Sequence, residues 1–194
     1  MQPTENKSAA KLKLVLVGVI LLSGASALIN QIVWIRKFGL VFGVDVDTMG
    51  TVLSAFMAGL ALGSLIFGRL ADRLVNPLKL FLILECGIGM FAALFPFTFK
   101  GLTQLYVPVI QHLEISANSE QYVKFAFSFL YLLIPATLMG GTLPVILKFF
   151  VRQLKNLGWN VSNLYSVNNF GAVLGCFIAG FFLIKYFGVT VALY

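Results

Sequence analysis

The sequence predicts an all-α fold, a polytopic bundle of transmembrane helices. Apolar residues make up 59% of the 194-residue chain and charged residues only 11%, and the mean hydropathy is +0.94. A soluble globule of this length needs more polar surface than that composition supplies. Continuous apolar runs such as 80–84 and 125–134 favour helices over an outer-membrane barrel, whose strands alternate in polarity.

Five segments are long enough to cross a hydrocarbon core of about 30 Å, which takes about 20 helical residues. They are residues 14–34, 49–67, 78–97, 122–150 and 164–187. Residues 1–13 precede them as an N-terminal segment that we expect in the cytoplasm. The first span begins like a signal peptide, but its apolar run continues to Trp34, longer than a typical signal-peptide core, which predicts a retained helix.

Two further features lie outside these spans. Apolar residues at near-helical spacing within 100–115 predict an amphipathic segment on the outer interface. After Gly188 a new apolar run, 189–194, predicts the start of a sixth span. We therefore expect either a fragment of a longer protein or a bundle that a partner completes.

Lys and Arg residues set the expected orientation. With the N-terminus inside, nine basic residues lie on the inner side and five on the outer side, as the positive-inside rule requires. The chain is thus expected in a bacterial inner membrane with its N-terminus cytoplasmic. The net charge of +7 is spread over short loops, which suits anionic lipid headgroups and argues against nucleic acid as a partner.

Small residues recur every four positions in two of the spans. Because close backbone approach is a main source of contact energy between helices in lipid, such stripes predict helix packing faces. A path for a substrate along them is the alternative. The stripes are Ala55, Gly59 and Gly63 in the second span, and Gly171, Gly175 and Ala179 in the fifth.

The connection after the second span carries the sequence Gly68-Arg69-Leu-Ala-Asp72-Arg73. We expect Asp72 to accept hydrogen bonds from a neighbouring helix terminus or an arginine, and the two arginines to anchor at headgroups. The segment resembles the Gly-x-x-x-Asp-Arg core of the loop between helices two and three in the major facilitator superfamily. That resemblance implies a conformational latch, although the later glycine and basic pair of the family motif are replaced by residues 75–78.

Polar side chains inside the spans are costly and therefore candidates for function. Glu85 lies about 9 Å into the third span, at about 1.5 Å per helical residue after Lys79, so it should be neutral or meet a cation or amide. The candidate partners are the intramembrane amides Asn30, Gln31, Asn168 and Asn169. A carrier or proton-coupling role and a structural hydrogen bond between helices both remain open for Glu85.

A wider resemblance rests on four stretches, residues 23–36, 52–64, 141–144 and 164–175. Together and in this order they resemble the membrane region of fused spermidine-synthase-like (polyamine aminopropyltransferase-like) proteins. The resemblance implies a bundle of about six helices, similar to half of a facilitator transporter, which usually precedes a cytosolic enzyme domain. The enzyme domain has no counterpart here, so aminopropyltransferase-like activity is expected only if that domain exists elsewhere.

No set of residues for catalysis, cofactor binding or metal binding emerges from the sequence. The glycine spacings lie inside lipid-spanning helices instead of following a strand, as a cofactor-binding loop would. The single histidine, His112, has no Cys, His or carboxylate at ligand spacing, so we predict neither a metal site nor a cofactor.

Three functions are compatible with these observations. The first two are a membrane anchor for an aminopropyltransferase-like enzyme and a half-transporter that moves a small polar or cationic solute as a dimer. The third is a non-catalytic accessory subunit bound to other membrane subunits or a second copy. The sequence favours an accessory or anchoring subunit, with transport as the alternative.

Overall fold

A computed structural model describes residues 3–43, 46–112, 117–153 and 161–191. Five long helices, with no strand among the residues described, make up the fold: α1 (Pro3–Phe42), α2 (Val46–Arg73), α3 (Pro77–His112), α4 (Ala117–Gln153) and α5 (Val161–Ile178). A π-helical segment (Ala179–Phe187) continues α5, and one turn, α6 (Gly188–Val191), follows.

Five helical stretches are long and apolar enough to cross a membrane. They are Leu14–Val41, Val46–Arg73, Pro77–Leu105, Phe125–Arg152 and Val161–Phe187. This confirms the predicted all-helical chain with five apolar spans.

The helices extend beyond the predicted spans. Residues 100–112, expected to begin a separate amphipathic segment, continue α3 without a break to His112, while residues 113–116 lie outside the described part. The N-terminal segment is already helical from Pro3. Of the predicted sixth span, 189–194, the structure describes only the turn that ends at Val191.

Local sequence explains where α1 ends and α3 begins. Gly43 follows α1 with a φ of +103°, which favours glycine, and its N–H donates to the carbonyl of Gly39 at 3.1 Å. At the start of α3, the Asn76 side chain accepts the N–H of Leu78 at 3.1 Å. Pro77 occupies the first helical position, where its missing N–H costs nothing.

Glycines on α2 allow it to pack closely against α4. A methyl group added at Gly59 would collide with Ala136, and one at Gly63 would collide with the carbonyl of Thr137. Because later residues of α2 meet later residues of α4, the two helices run parallel. We call them the α2–α4 pair.

A second pair forms in the same way between α1 and α5. A methyl group at Gly171 would collide with the carbonyl of Leu21, and one at Gly175 with that of Ala25. These helices are also parallel, and we call them the α1–α5 pair. The backbones of the two pairs contact each other only sparsely, which leaves space between them.

An aromatic cluster joins α1, α3 and α4 on the side of the bundle where α1 ends. The Trp34 ring stacks on Phe95 with centroids 5.4 Å apart, and Phe95 stacks on Phe99 at 5.3 Å. Tyr131 of α4 contacts Phe95 and Phe99, and its hydroxyl is 2.6 Å from Thr98 Oγ1. The cluster fixes α3 against its neighbours and leaves the other side of α1 to line the cavity described next.

Candidate functional site

A cavity of about 380 Å³ lies between the α1–α5 pair and the α2–α4 pair. Its walls come from four helices, and many of the lining groups are hydroxyls or amides. The polar lining residues are Ser23 and Gln31 of α1, Ser64 of α2, Thr142 of α4, and Tyr165, Asn168 and Asn169 of α5. Such side chains are unusual at membrane depth, where each one needs a hydrogen-bond partner.

Helical spacing explains how these side chains converge. On α5, residues 165, 168, 169 and 172 lie on one face, three or four positions apart, and all line the cavity. On α1, Ser23, Ala27 and Gln31 recur every four residues and also line it. The glycine faces of these helices are occupied by helix packing, so the polar faces point into the gap between the pairs.

The wall that α4 contributes is interrupted by proline. Pro144 lies inside the helix and lines the cavity together with Gly140. Because proline has no N–H, it cannot donate to the carbonyl four residues before it, which is that of Gly140. Thr142, which is buried, donates to the carbonyl of Met139 at 2.8 Å. Backbone and hydroxyl oxygens are thus available at the cavity wall.

Glu85 lies behind this cavity. Ser23 Oγ donates to Glu85 Oε1 at 2.5 Å and so joins α1 to α3. A second, very small void of about 10 Å³ is lined by Ser23, Ser26, Glu85 and Thr142, with Ala27, Ile88 and Met139. Ser23 and Thr142 line both spaces, so the carboxylate is one hydroxyl away from the main cavity.

The partner of Glu85 differs from the amides that the sequence suggested. Gln31, Asn168 and Asn169 line the main cavity, whereas Asn30 is half-buried and is not among the residues lining that cavity. The structure therefore gathers three of the four amides around one space and gives Glu85 a serine instead. The one signal in the sequence for Ser23 is its spacing of eight residues from Gln31, which places both side chains on the same face of α1.

The connection between α2 and α3 contacts the end of α4. Asp72 forms an ion pair with Lys148, and Arg152 donates to the backbone carbonyls of Leu74 at 2.5 Å and Asp72 at 2.8 Å. Arg69 and Arg73 are exposed. Gly68 faces Pro144, at ordinary van der Waals distance for an added methyl group.

The partners of this loop are on α4, and sequence analysis did not identify Lys148 or Arg152 as such.

The residues of the two predicted small-residue stripes are buried in the structure. Ala55, Gly59 and Gly63 are buried on α2, as are Gly171 and Gly175 on α5 and Ala179 in the π-helical segment.

The residues that line the main cavity suit the binding of a small molecule more than catalysis. The main cavity offers hydrogen-bond donors and acceptors without a formal charge on its lining side chains, a lining that can hold a small polar molecule. Within the described residues, no group of three or more His, Cys, Asp or Glu side chains could hold a metal ion.

Neither a protein-family model nor a curated protein nor a solved structure matches this chain.

Proposed function

We propose that this chain is a membrane domain that binds a small polar solute between its two helix pairs and acts as half of a transporter. The observation that carries the proposal is the cavity of about 380 Å³, where seven hydroxyl or amide side chains meet in a mainly apolar lining. Its volume falls within the range of about 300–1,000 Å³ typical of small-molecule sites.

The cost of intramembrane polarity supports a solute or water in this space. Asn169 is exposed on α5, inside the apolar stretch Val161–Phe187, where lipid cannot satisfy the hydrogen bonds of an amide. Water or a polar solute in the cavity would satisfy the amide of Asn169. Purely structural packing would be expected to place apolar residues there.

The division into two tightly packed pairs supports movement around the site. Alternating access in many transporters is a rocking of one helix bundle against another around a fixed central site. Here glycine contacts hold each pair together, whereas backbone contacts between the pairs are sparse and the pairs meet mainly through side chains such as Trp34 of α1 and Phe56 of α2. The cavity therefore lies between two groups of helices whose backbones are packed less closely against each other than within each group.

An accessory or anchoring subunit, in the manner of the membrane region of spermidine-synthase-like proteins, is the second candidate. It is favoured by the open side of the cavity, where Ser64 and Asn169 are exposed. A second copy or another membrane subunit could cover these side chains and satisfy their hydrogen bonds. In that case the cavity would be a docking surface and would contain protein side chains instead of solute.

We also propose that the chain lies in a bacterial inner membrane with its N-terminus in the cytoplasm. Arg69, Arg73, Lys79 and Arg152 are exposed, and all lie on the side of the bundle where α1 begins. By the positive-inside rule that side, with the loop at Gly68–Arg73, faces the cytoplasm.

Cysteine accessibility in membranes distinguishes the two candidates. In a variant without Cys86 and Cys176, Asn169→Cys places a thiol at the cavity and Val173→Cys places one on the outer face of the same helix, where Val173 is 64% exposed. A charged, membrane-impermeant thiol reagent is then added to opened membranes. The solute-binding proposal expects Asn169→Cys to react and Val173→Cys to stay unmodified.

The opposite outcome has a definite meaning. If Asn169→Cys is protected in membranes but reacts after the protein is solubilised and separated from other proteins, a partner covers the cavity and the accessory role is favoured. If it is protected in both states, the space holds no water and the solute-binding proposal fails.

A further inference from the structure

We propose that Glu85, Ser23, Ser26 and Thr142 form a binding site for one dehydrated alkali cation, with Na⁺ as the test ion. The site lies between α1, α3 and α4, behind the solute cavity. It deepens the proposed function, and it rests on that function only in so far as cation and solute binding are coupled.

The chemistry of the lining selects a hard cation. The void is surrounded by one carboxylate and three hydroxyls from three helices, and oxygen ligands of this kind suit hard metal ions. Softer metals prefer sulfur or imidazole ligands. Met139 is the one sulfur-containing residue that lines the void, and neither cysteine nor histidine is among the lining residues, so oxygen ligands predominate.

The charge of the site selects a monovalent ion. In the described part of the chain, the polar partner of Glu85 is the neutral hydroxyl of Ser23, and no ion pair involves the carboxylate. Without a cation Glu85 is expected to be neutral, and an ionised carboxylate at this depth needs a compensating charge. One alkali cation supplies it, whereas a divalent ion would leave an uncompensated positive charge in the bilayer.

The size of the void limits its content to one ion or one water molecule. Its volume of about 10 Å³ corresponds to about one water-sized sphere. An alkali ion fits such a space, but an organic cation such as choline does not.

Shared side chains would couple the ion to the solute. Ser23 Oγ donates a hydrogen bond to Glu85, and Ser23 also lines the main cavity. A cation at Glu85 would draw this hydroxyl oxygen toward itself as a ligand and orient its O–H toward the cavity. The solute would then find a pre-oriented donor only when the cation is bound.

The test is the thermal unfolding midpoint of the purified, full-length protein in detergent, measured against NaCl at constant pH, with choline chloride keeping the ionic strength constant. The proposal expects a saturable rise with Na⁺ because the ligand binds the folded state. Ser26→Ala should weaken the apparent affinity by about tenfold or more, since loss of even an outer-shell partner of a metal ligand costs that much, and Glu85→Gln should abolish the rise.

Asn169→Ala is the matched control, because Asn169 lines the main cavity but not the small void, and it should keep the full Na⁺ response. Equal midpoints in Na⁺, K⁺ and choline would overturn the proposal, as would a normal Na⁺ response in Glu85→Gln. If Glu85→Gln does not fold, the wild-type titration and Ser26→Ala still decide the question. Failure of the thiol-labelling experiment at Asn169 would remove the solute site and leave the Na⁺ response unaffected, so the two proposals fail separately.

Discussion

Lys148 pairs with the carboxylate of Asp72, and this contact ties the end of α2 to the end of α4. It continues the parallel register that begins at Gly59 and Ala136. Arg152 lies one helical turn further along α4. Its guanidinium donates hydrogen bonds to the backbone carbonyls of Asp72 and Leu74, at the end of α2 and in the loop after it. The loop between α2 and α3 is therefore fixed to α4 through its main chain as well as through a side chain.

Replacement of Arg152 by alanine should lower stability more than replacement of Asp72 by asparagine. Arg152→Ala removes two hydrogen bonds from a charged donor to carbonyls that have this partner in the structure. Loss of such bonds costs on the order of 1 kcal/mol. Asp72 is 57% exposed, and exposed ion pairs are screened by solvent. Arg152 is exposed as well, so the expected difference rests on its two hydrogen bonds to main-chain carbonyls against the single side-chain pair of Asp72. The thermal unfolding midpoint in detergent measures the difference.

Arg69→Ala serves as the control for that comparison, since Arg69 is an exposed cation on the same side of the bundle. We expect it to leave the midpoint unchanged. A larger effect from Asp72→Asn than from Arg152→Ala would show that the side-chain ion pair, and not the main-chain contacts, holds the loop.

Alanine at Gly63 should disrupt the α2–α4 pair. The added methyl group would collide with the backbone carbonyl of Thr137, which cannot move without shifting α4, so a cost of about 1–3 kcal/mol is expected. Gly89 of α3 is the matched control, because an added methyl group there has no neighbour within 4 Å. Gly89→Ala should be neutral or stabilising by up to about 1 kcal/mol. Denaturant titration in mixed micelles measures both.

Gly171→Ala extends the same test to the α1–α5 pair, where the methyl group meets the carbonyl of Leu21. Similar stability of Gly63→Ala, Gly171→Ala and Gly89→Ala would mean that the helices are not packed through these faces.

The sequence predicted which helix faces pack but not which helices they pack against. The spacing of Gly59 and Gly63 identifies a smooth face on α2, and the same holds for Gly171 and Gly175 on α5. Periodicity describes one helix at a time, so the pairing of these faces with α4 and α1 depends on the fold as a whole. The cavity between the pairs depends on that pairing and could not be predicted.

The hydrogen bond of Glu85 shows the same limit. An amide was expected as its partner, because amides were the conspicuous polar groups in the spans. Serine is common in apolar helices and gives little signal, yet the parallel alignment of α1 and α3 brings Ser23 to within 2.5 Å of the carboxylate. A signal did exist for the cavity, since Tyr165, Asn168 and Asn169 share one helical face.

Phenylalanine should replace Trp34 at small cost. The indole is fully buried, and within the described part of the chain its Nε1 has no hydrogen-bond partner. Trp34→Phe removes this unpaired N–H, whose burial costs about 1–3 kcal/mol. The stability gained in this way offsets much of the packing energy that is lost because phenylalanine has one ring and the indole has two. Trp34→Ala should cost about 3–5 kcal/mol. If unfolding titrations give equal losses for both variants, the indole N–H has a partner such as buried water.

A bulky apolar residue at Ser64 should close the cavity. Ser64 is exposed on α2 and lines the space opposite α5, so Ser64→Phe would place a ring where water or solute is expected. In the cysteine-free background, labelling of Asn169→Cys by the impermeant reagent should fall sharply. Ser54 is also exposed on α2 but does not line the cavity, and Ser54→Phe should leave labelling unchanged. Equal labelling in the two variants would mean that the reagent reaches residue 169 by a route outside the cavity, and the solute path between the helix pairs would have to be abandoned.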